Sequence, residues 1–337
     1  MDLATTYMGL RLPHPFMPGA SPLVSDLDMV KRLEDAGAAA IVMHSLFEEQ
    51  VRWQQLMGFA DGGRSTASRL EALHYTPRQD AFARGPEEYL AHLARIKATV
   101  GVPVIGSLNG VTLGGWLDYA RAMEQAGADA LELNVYALVA DPEVDGHLLE
   151  DRIVEMVRAV RARVRVPLAV KLAPFYTALA AFARRLSRAG ADGLVLFNRF
   201  YPPDLDWDAA GLRNPLTPRD SGELPLRLHW LALLSGRVDA SLAVTGGVAE
   251  ATDAVKALLC GAHAVQMVSA LLERGPEHLQ RVRDDTVAWM SRHGFRSIDD
   301  LRGRMSLQDC PDATGYERSG YLLALQSRNA GAPPTKA

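Results

Sequence analysis

"EQAGADALELNV", residues 124–135, carries the repeating unit of the chain. An amphipathic segment stops at Gly127, and an apolar run follows that ends at Asn134. A glycine just past the last helical turn takes the left-handed conformation at little cost. A run that is apolar on both faces suits a parallel strand buried under helices. The unit is therefore helix, glycine stop, buried strand. It recurs as "EDAGAAAIVMHS" at 34–45, "SRAGADGLVLFN" at 187–198 and "LLCGAHAVQMVS" at 258–269.

Other strands are introduced by proline, which suits a first strand residue because no ladder donor is needed there. These are "VPVIGSLN" at 102–109 and "VPLAVKLAP" at 166–174. With "FMPGAS" at 16–21 and "SLAVTGG" at 241–247, the pattern predicts strands near 16–21, 39–45, 103–109, 130–135, 167–173, 193–198, 241–246 and 264–269. Helical patterns fall at 25–36, 86–99, 114–126, 148–164, 177–189, 224–236, 250–259 and 276–292. Eight alternating strands and helices over roughly 280 residues predict a (β/α)8 TIM barrel. The competing doubly wound sheet would want a Gly-x-Gly-x-x-Gly turn after the first strand, and that turn is missing.

The expected organisation is a barrel over 1–292, then a helical extension over 293–337 with a disordered tail, "NAGAPPTKA". Residues 46–85 after strand two and 199–223 after strand six are too long for plain turns, and both fall on the side where barrel active sites form. A formal charge of −4 with 48% hydrophobic residues gives no electrostatic reason to expect nucleic acid or an anionic membrane surface. Cys260 and Cys310 make no disulfide framework. The opening "MDLATTYMGLRLPHPF" has an acid early and no apolar core of a signal peptide, and no run is long enough to span a membrane. A cytoplasmic location is expected.

In a barrel, the strand ends converge on one site. Here they present Ala20, Ser21, His44, Ser45, Ser107, Asn109, Asn134, Lys171, Asn198, Thr245, Gly246, Gly247, Val268 and Ser269. There is no acidic cluster and no metal-ligand set among them. Amides and one cation suit a flat polar heterocycle such as the isoalloxazine ring of a flavin. The loops after strands seven and eight commonly hold a phosphate in such barrels. At Gly246-Gly247 the backbone N–H groups can approach an anion, with a helix N-terminus behind them; the plainer reading is a turn into the next helix. A lysine inside the apolar strand "AVKLAP" is costly unless it serves a polar site. Lys171 is expected to stand over the N1–C2=O edge of a reduced flavin and offset its negative charge, or else to snorkel outward. The asparagines could face a ligand or cap loose backbone. His44 suits either a structural hydrogen bond or a ligand contact. Cys260 reads as a small buried hydrophobe.

The segments "MPGAS", "VKLAP", "LFN", "VTGGV" and "CGAHAVQ", with the Asn134 strand end, resemble the dihydroorotate dehydrogenase family in order and spacing, over residues 10–290. The resemblance implies an FMN-binding (β/α)8 barrel that oxidises a dihydropyrimidine, a place in pyrimidine biosynthesis, an electron acceptor of unstated identity, and a homodimer. It puts Ala20, Ser21, Asn109, Asn134, Lys171, Gly246, Gly247 and Ser269 on FMN-contacting positions. Ser45, Gly222, Thr245 and Val268 complete the expected cofactor set. Asn134 and Asn198 fall on positions that bond the substrate ring.

The chain departs from the family in the substrate half. The family follows this asparagine with a Ser-Cys-Pro-Asn-type loop that supplies the base; here it reads Tyr136, Ala137, Leu138, Val139. The family's lysine after strand two is His44, and its substrate-binding segment reads "EALHYTPRQDAF" at 71–82. Tyr136, His44, and His74 or Tyr75 are the expected substitutes for the base. Three functions stay open: a dehydrogenase acting on a CH–CH bond, a flavin-binding barrel with little or no catalysis, and a flavin-free phosphate-binding isomerase or lyase.

Overall fold

The computed structural model describes residues 1–52, 85–200, 204–206, 211–213 and 221–329. Eight parallel strands form one sheet: β1 (Phe16–Pro18), β2 (Ile41–Phe47), β3 (Val104–Asn109), β4 (Ala130–Val135), β5 (Leu168–Leu172), β6 (Gly193–Leu196), β7 (Ser241–Thr245) and β8 (Ala264–Met267). They pair in the order β1-β8-β7-β6-β5-β4-β3-β2. The Ala39 N–H donates to the Phe16 carbonyl at 2.9 Å and closes the ring. The eight expected strands are all present, with ends shifted by a few residues; β1 stops at Pro18 and β6 at Leu196.

The repeated phrase forms as its chemistry predicts. Gly127 has φ +100. Its N–H bonds the Glu124 carbonyl at 3.0 Å, and the Ala128 N–H reaches back to Met123 at 3.0 Å. This pair of bonds satisfies the last free carbonyls of the helix. Gly37, Gly190 and Gly261 repeat it, with φ of +84, +107 and +109. The aspartate of the phrase does a second job. Asp129 accepts from the Val104 N–H at 2.7 Å and Asp192 from the Leu168 N–H at 2.9 Å. Each acid thereby holds the start of the proline-led strand beside it.

Alternate strand residues face in and out. Leu131, Leu133 and Val135 join the core between strands and helices, whereas Ala130 joins the cluster inside the barrel. That inner cluster includes Ala39, Ala40, Ala130, Ala169, Ala243 and Ala264. Such small residues leave room, and a hairpin that the sequence reading did not anticipate fills it. Its strands, Thr5–Tyr7 and Leu10–Leu12, pair antiparallel, and the buried Tyr7, Met8 and Leu12 plug the lower end. Met8 at φ +53 and Gly9 at φ +80 make the tight turn. A Cβ on Gly193 would lie 2.7 Å from Met8 Cγ. Gly193→Val is therefore expected to overpack the plug and cost about 1–3 kcal/mol, read by chemical denaturation.

The connection after β6 contains a short antiparallel ribbon, Asp204–Asp206 with Gly211–Arg213. Beyond residue 292, Ile298 and Leu301 are buried in the same core as the barrel, and Asp2 bonds to Arg296 and Ile298 backbone. A further helix, Ala313–Asn329, follows. No helix among the described residues is long and apolar enough to cross a membrane.

Candidate active site

Register builds one row of side chains at the upper rim. Phe47 pairs with Asn109, Asn109 with Asn134, and Asn134 with Lys171, across β2 to β5. The row below reads Ser45, Ser107 and Glu132. The Ser45 and Ser107 hydroxyls lie 2.8 Å apart. The Asn198 amide N–H donates to Asn134 Oδ1, while the Asn198 backbone N–H is fixed to the Leu172 carbonyl at 2.7 Å. That pair leaves an N–H donor on Asn134 and a carbonyl on Asn198. The side-chain amide of Asn109 makes no hydrogen bond among the described residues.

Lys171 is 6% exposed and Glu132 1%. Their charges face each other at 3.7 Å, from Lys171 Nζ to Glu132 Oε1. The other carboxylate oxygen accepts from Gln266 Nε2 at 2.7 Å. Beneath them, burial and then the charge of Glu132 push the Tyr7 phenol well above its ordinary range, so it stays protonated. The loop that follows Asn109 is braced by buried Glu48. Its carboxylate accepts from the Val111 N–H at 2.7 Å and the Thr112 hydroxyl at 2.7 Å, and pairs with Arg52 at 2.8 Å.

On the opposite side of the mouth, Gly246 and Gly247 both have positive φ, +84 and +79. The N–H groups of Gly246, Gly247 and Val248 make no hydrogen bond among the described residues. Arg227, 2% exposed, braces this turn from behind. It donates to the carbonyls of Thr245, Phe197 and Glu223 and to the Glu223 carboxylate. Gly222 lies in the turn Ser221–Glu223 that leads into this arginine's helix, Leu224–Leu234. Between the ends of β1 and β8 the chains approach closely: a Cβ on Gly19 would meet Val268 Cγ2 at 2.9 Å. There the buried Ser21 hydroxyl has no hydrogen-bond partner among the described residues. Ala20 links Gly19 to Ser21, and Val268 leads into the short helix Ser269–Arg274. No group of three or more His, Cys, Asp or Glu among the described residues could hold a metal ion.

A sequence profile of the dihydroorotate dehydrogenase family matches residues 80–290. The chain belongs to the dihydroorotate dehydrogenase family. It is a dehydrogenase of that family. It is 27% identical over 313 residues to the dihydroorotate dehydrogenase B (NAD(+)) catalytic subunit of Thermoplasma acidophilum, covering 90% of this chain and 98% of the relative. It is 29% identical over 282 residues to the dihydroorotate dehydrogenase A (fumarate) of Lacticaseibacillus paracasei, covering 80% and 91%. It is 25% identical over 339 residues to the chloroplastic dihydropyrimidine dehydrogenase (NADP(+)) of Arabidopsis thaliana, covering 91% and 77%.

One expectation needs correction. In β2 the register slips between Val42 and Ser45, so that Ser45 faces inward opposite Ser107. His44 is turned to the helix side, edge-on to Tyr89 at 5.1 Å and 6.3 Å from His92, both on the helix Pro86–Thr99. It does not stand over the mouth with Asn134, where an acid/base reading would need it. The Tyr89 hydroxyl occupies the slip, bonding the Ser107 N–H at 3.1 Å and its carbonyl at 3.2 Å. The helix behind Gly246-Gly247, Ala251–Leu259, begins with a capping box. The Glu250 side chain and Asp253 cap it, and Asp253 takes the N–H groups of Ala249 and Glu250 at 3.0 Å each.

Tyr136 lies just past β4 at the rim, next to Ala137, and Leu138 and Val139 are exposed beyond it. His74 and Tyr75 lie outside the described residues. The sequence reading missed Glu132, Gln266, Phe47 and Arg227. The signal for Glu132 was available: an acid two residues before Asn134 in one strand must share its face.

Proposed function

We propose that this family member binds FMN at the barrel mouth and oxidises a CH–CH bond of a small cyclic, dihydropyrimidine-like substrate. One observation carries the reading. Asn109, Asn134 and Lys171 stand in one register row, facing a turn whose Gly246, Gly247 and Val248 N–H groups are unengaged among the described residues. Amide groups beside a buried cation fit a flat heterocycle with carbonyl and imide edges, and free backbone N–H groups on positive-φ glycines fit a phosphate tail. The buried Ser21 hydroxyl just past β1, without a hydrogen-bond partner among the described residues, supplies a further donor on that side.

Bound FMN would supply the two-electron acceptor. Lys171 places positive charge where negative charge gathers during the reaction. Asn134 and Asn198, locked to each other, present one donor and one acceptor to a ring bearing adjacent N–H and C=O groups. The Tyr136 hydroxyl is the first titratable group after Asn134 and takes the base's role in this reading. Ala137 favours a second reading, a flavin-binding barrel with weak or no turnover.

The purified protein is expected to be yellow, with absorbance near 450 nm. Stopped-flow mixing with dihydroorotate and other dihydropyrimidines is expected to bleach it. A colourless protein that takes up no added FMN sinks the cofactor reading. A yellow protein that dithionite bleaches and no dihydropyrimidine does favours the second reading. Asn134→Ala should slow substrate bleaching of the flavin-filled protein by roughly 10²-fold, since a lost bond to a buried polar ring costs about 1–3 kcal/mol.

A further inference from the structure

We propose that Glu132 is a positioning residue for the cofactor: it neutralises Lys171 from below while leaving the ammonium's N–H donors for the ring above. The inference rests on the reading of the mouth as an FMN site. Three observations support it. The gap of 3.7 Å is close enough for strong charge attraction and too long for a hydrogen bond. Among the described residues the Lys171 ammonium makes no hydrogen bond at all. Gln266 holds the far oxygen of Glu132 at 2.7 Å, and among the described residues Glu132 Oε1 accepts no hydrogen bond.

A buried ion pair is poor evidence of a stability device, because apolar residues of similar volume usually do as well or better. The lower barrel interior follows that rule, with alanines, Met17, Val42 and Ile105. The charged pair appears only where the interior meets the Asn109–Asn134 row. The pair is electrically neutral and its donors are not spent. That is what a ring that gains negative charge on reduction would require of its neighbours: a cation available at short range, stored without self-repulsion or bonds to break.

The test reads the midpoint potential of bound FMN by dye-coupled reductive titration. Glu132→Gln removes one negative charge near the ring, so its potential should move to a more positive value than that of the wild type. Lys171→Met should move it the other way, and adding Glu132→Gln to Lys171→Met should bring it back upward. If Glu132→Gln alone does not fold, the comparison of Lys171→Met with the double variant reads the same effect, because the double variant buries no unmatched charge. An unchanged or more negative potential on removing Glu132 overturns the proposal; a purely structural Glu132 would change the melting temperature and leave the potential where it was. Wild-type protein that binds no FMN fails the underlying cofactor reading instead, and is distinguished by its lack of a flavin spectrum.

Discussion

Lys171→Met is expected to bind the flavin more weakly, filling only with added FMN, and to unfold more easily. The stability loss comes from what stays behind. Glu132 is 1% exposed, and its charge partner is Lys171 at 3.7 Å. Removing one partner of a buried pair leaves an uncompensated charge, at a cost of about 3–5 kcal/mol. The melting temperature of the flavin-free protein should fall by on the order of 10 °C. Adding Glu132→Gln should recover most of that stability, since the second charge is then gone, but it should not restore wild-type flavin affinity, since the cation is gone too. Thermal melts and the flavin-to-protein ratio give both numbers. A single variant that melts and holds flavin like the wild type would place Lys171 outside the site.

Gly247→Ala should weaken FMN binding by roughly 10–100-fold, where each factor of ten is about 1.4 kcal/mol. Gly247 sits at φ +79, and an alanine Cβ would stand 2.9 Å from Leu224 Cβ and 3.2 Å from the Leu224 backbone. The left-handed conformation alone costs an L-residue about 1–2 kcal/mol. The helix start at Leu224 cannot yield easily, because Arg227 one turn on is tied to Thr245, Phe197 and Glu223. The turn must move instead, and its N–H groups with it. Riboflavin, which has the same ring and no phosphate, is the control. Its affinity should hardly change. Equal losses for FMN and riboflavin would mean that the turn does not grip the phosphate.

The barrel was legible because its signals are local. A glycine that ends a helix and an apolar strand after it can be read in twelve residues, and the structure repeats the same two backbone bonds at Gly37, Gly127, Gly190 and Gly261. The strand-end row was legible for the same reason, since Asn109, Asn134 and Lys171 each close a recognisable strand. His44 was misplaced because the slip in β2 breaks the two-residue alternation, and nothing in "IVMHSLF" marks it. Arg227 was passed over because a lone arginine in a helix ordinarily reads as surface; its burial depends on contacts with β6 and β7, far away in sequence. The hairpin at 5–12 was missed for a different reason. Its place is decided by the alanine-lined space inside a barrel that its own sequence does not describe.

That hairpin bears on how the chain is made. Thr5 Oγ1 donates to the His263 carbonyl at 3.0 Å, and the Met8 N–H donates to Ser241 Oγ at 3.2 Å, across separations of 258 and 233 residues. These residues are synthesised long before β7 and β8 and have nowhere to settle until those strands have left the ribosome. Contacts of such span form slowly, so the nascent chain must carry Tyr7, Met8 and Leu12 exposed until those strands emerge. A chaperone that shields this short apolar stretch would be guarding the last piece to go in.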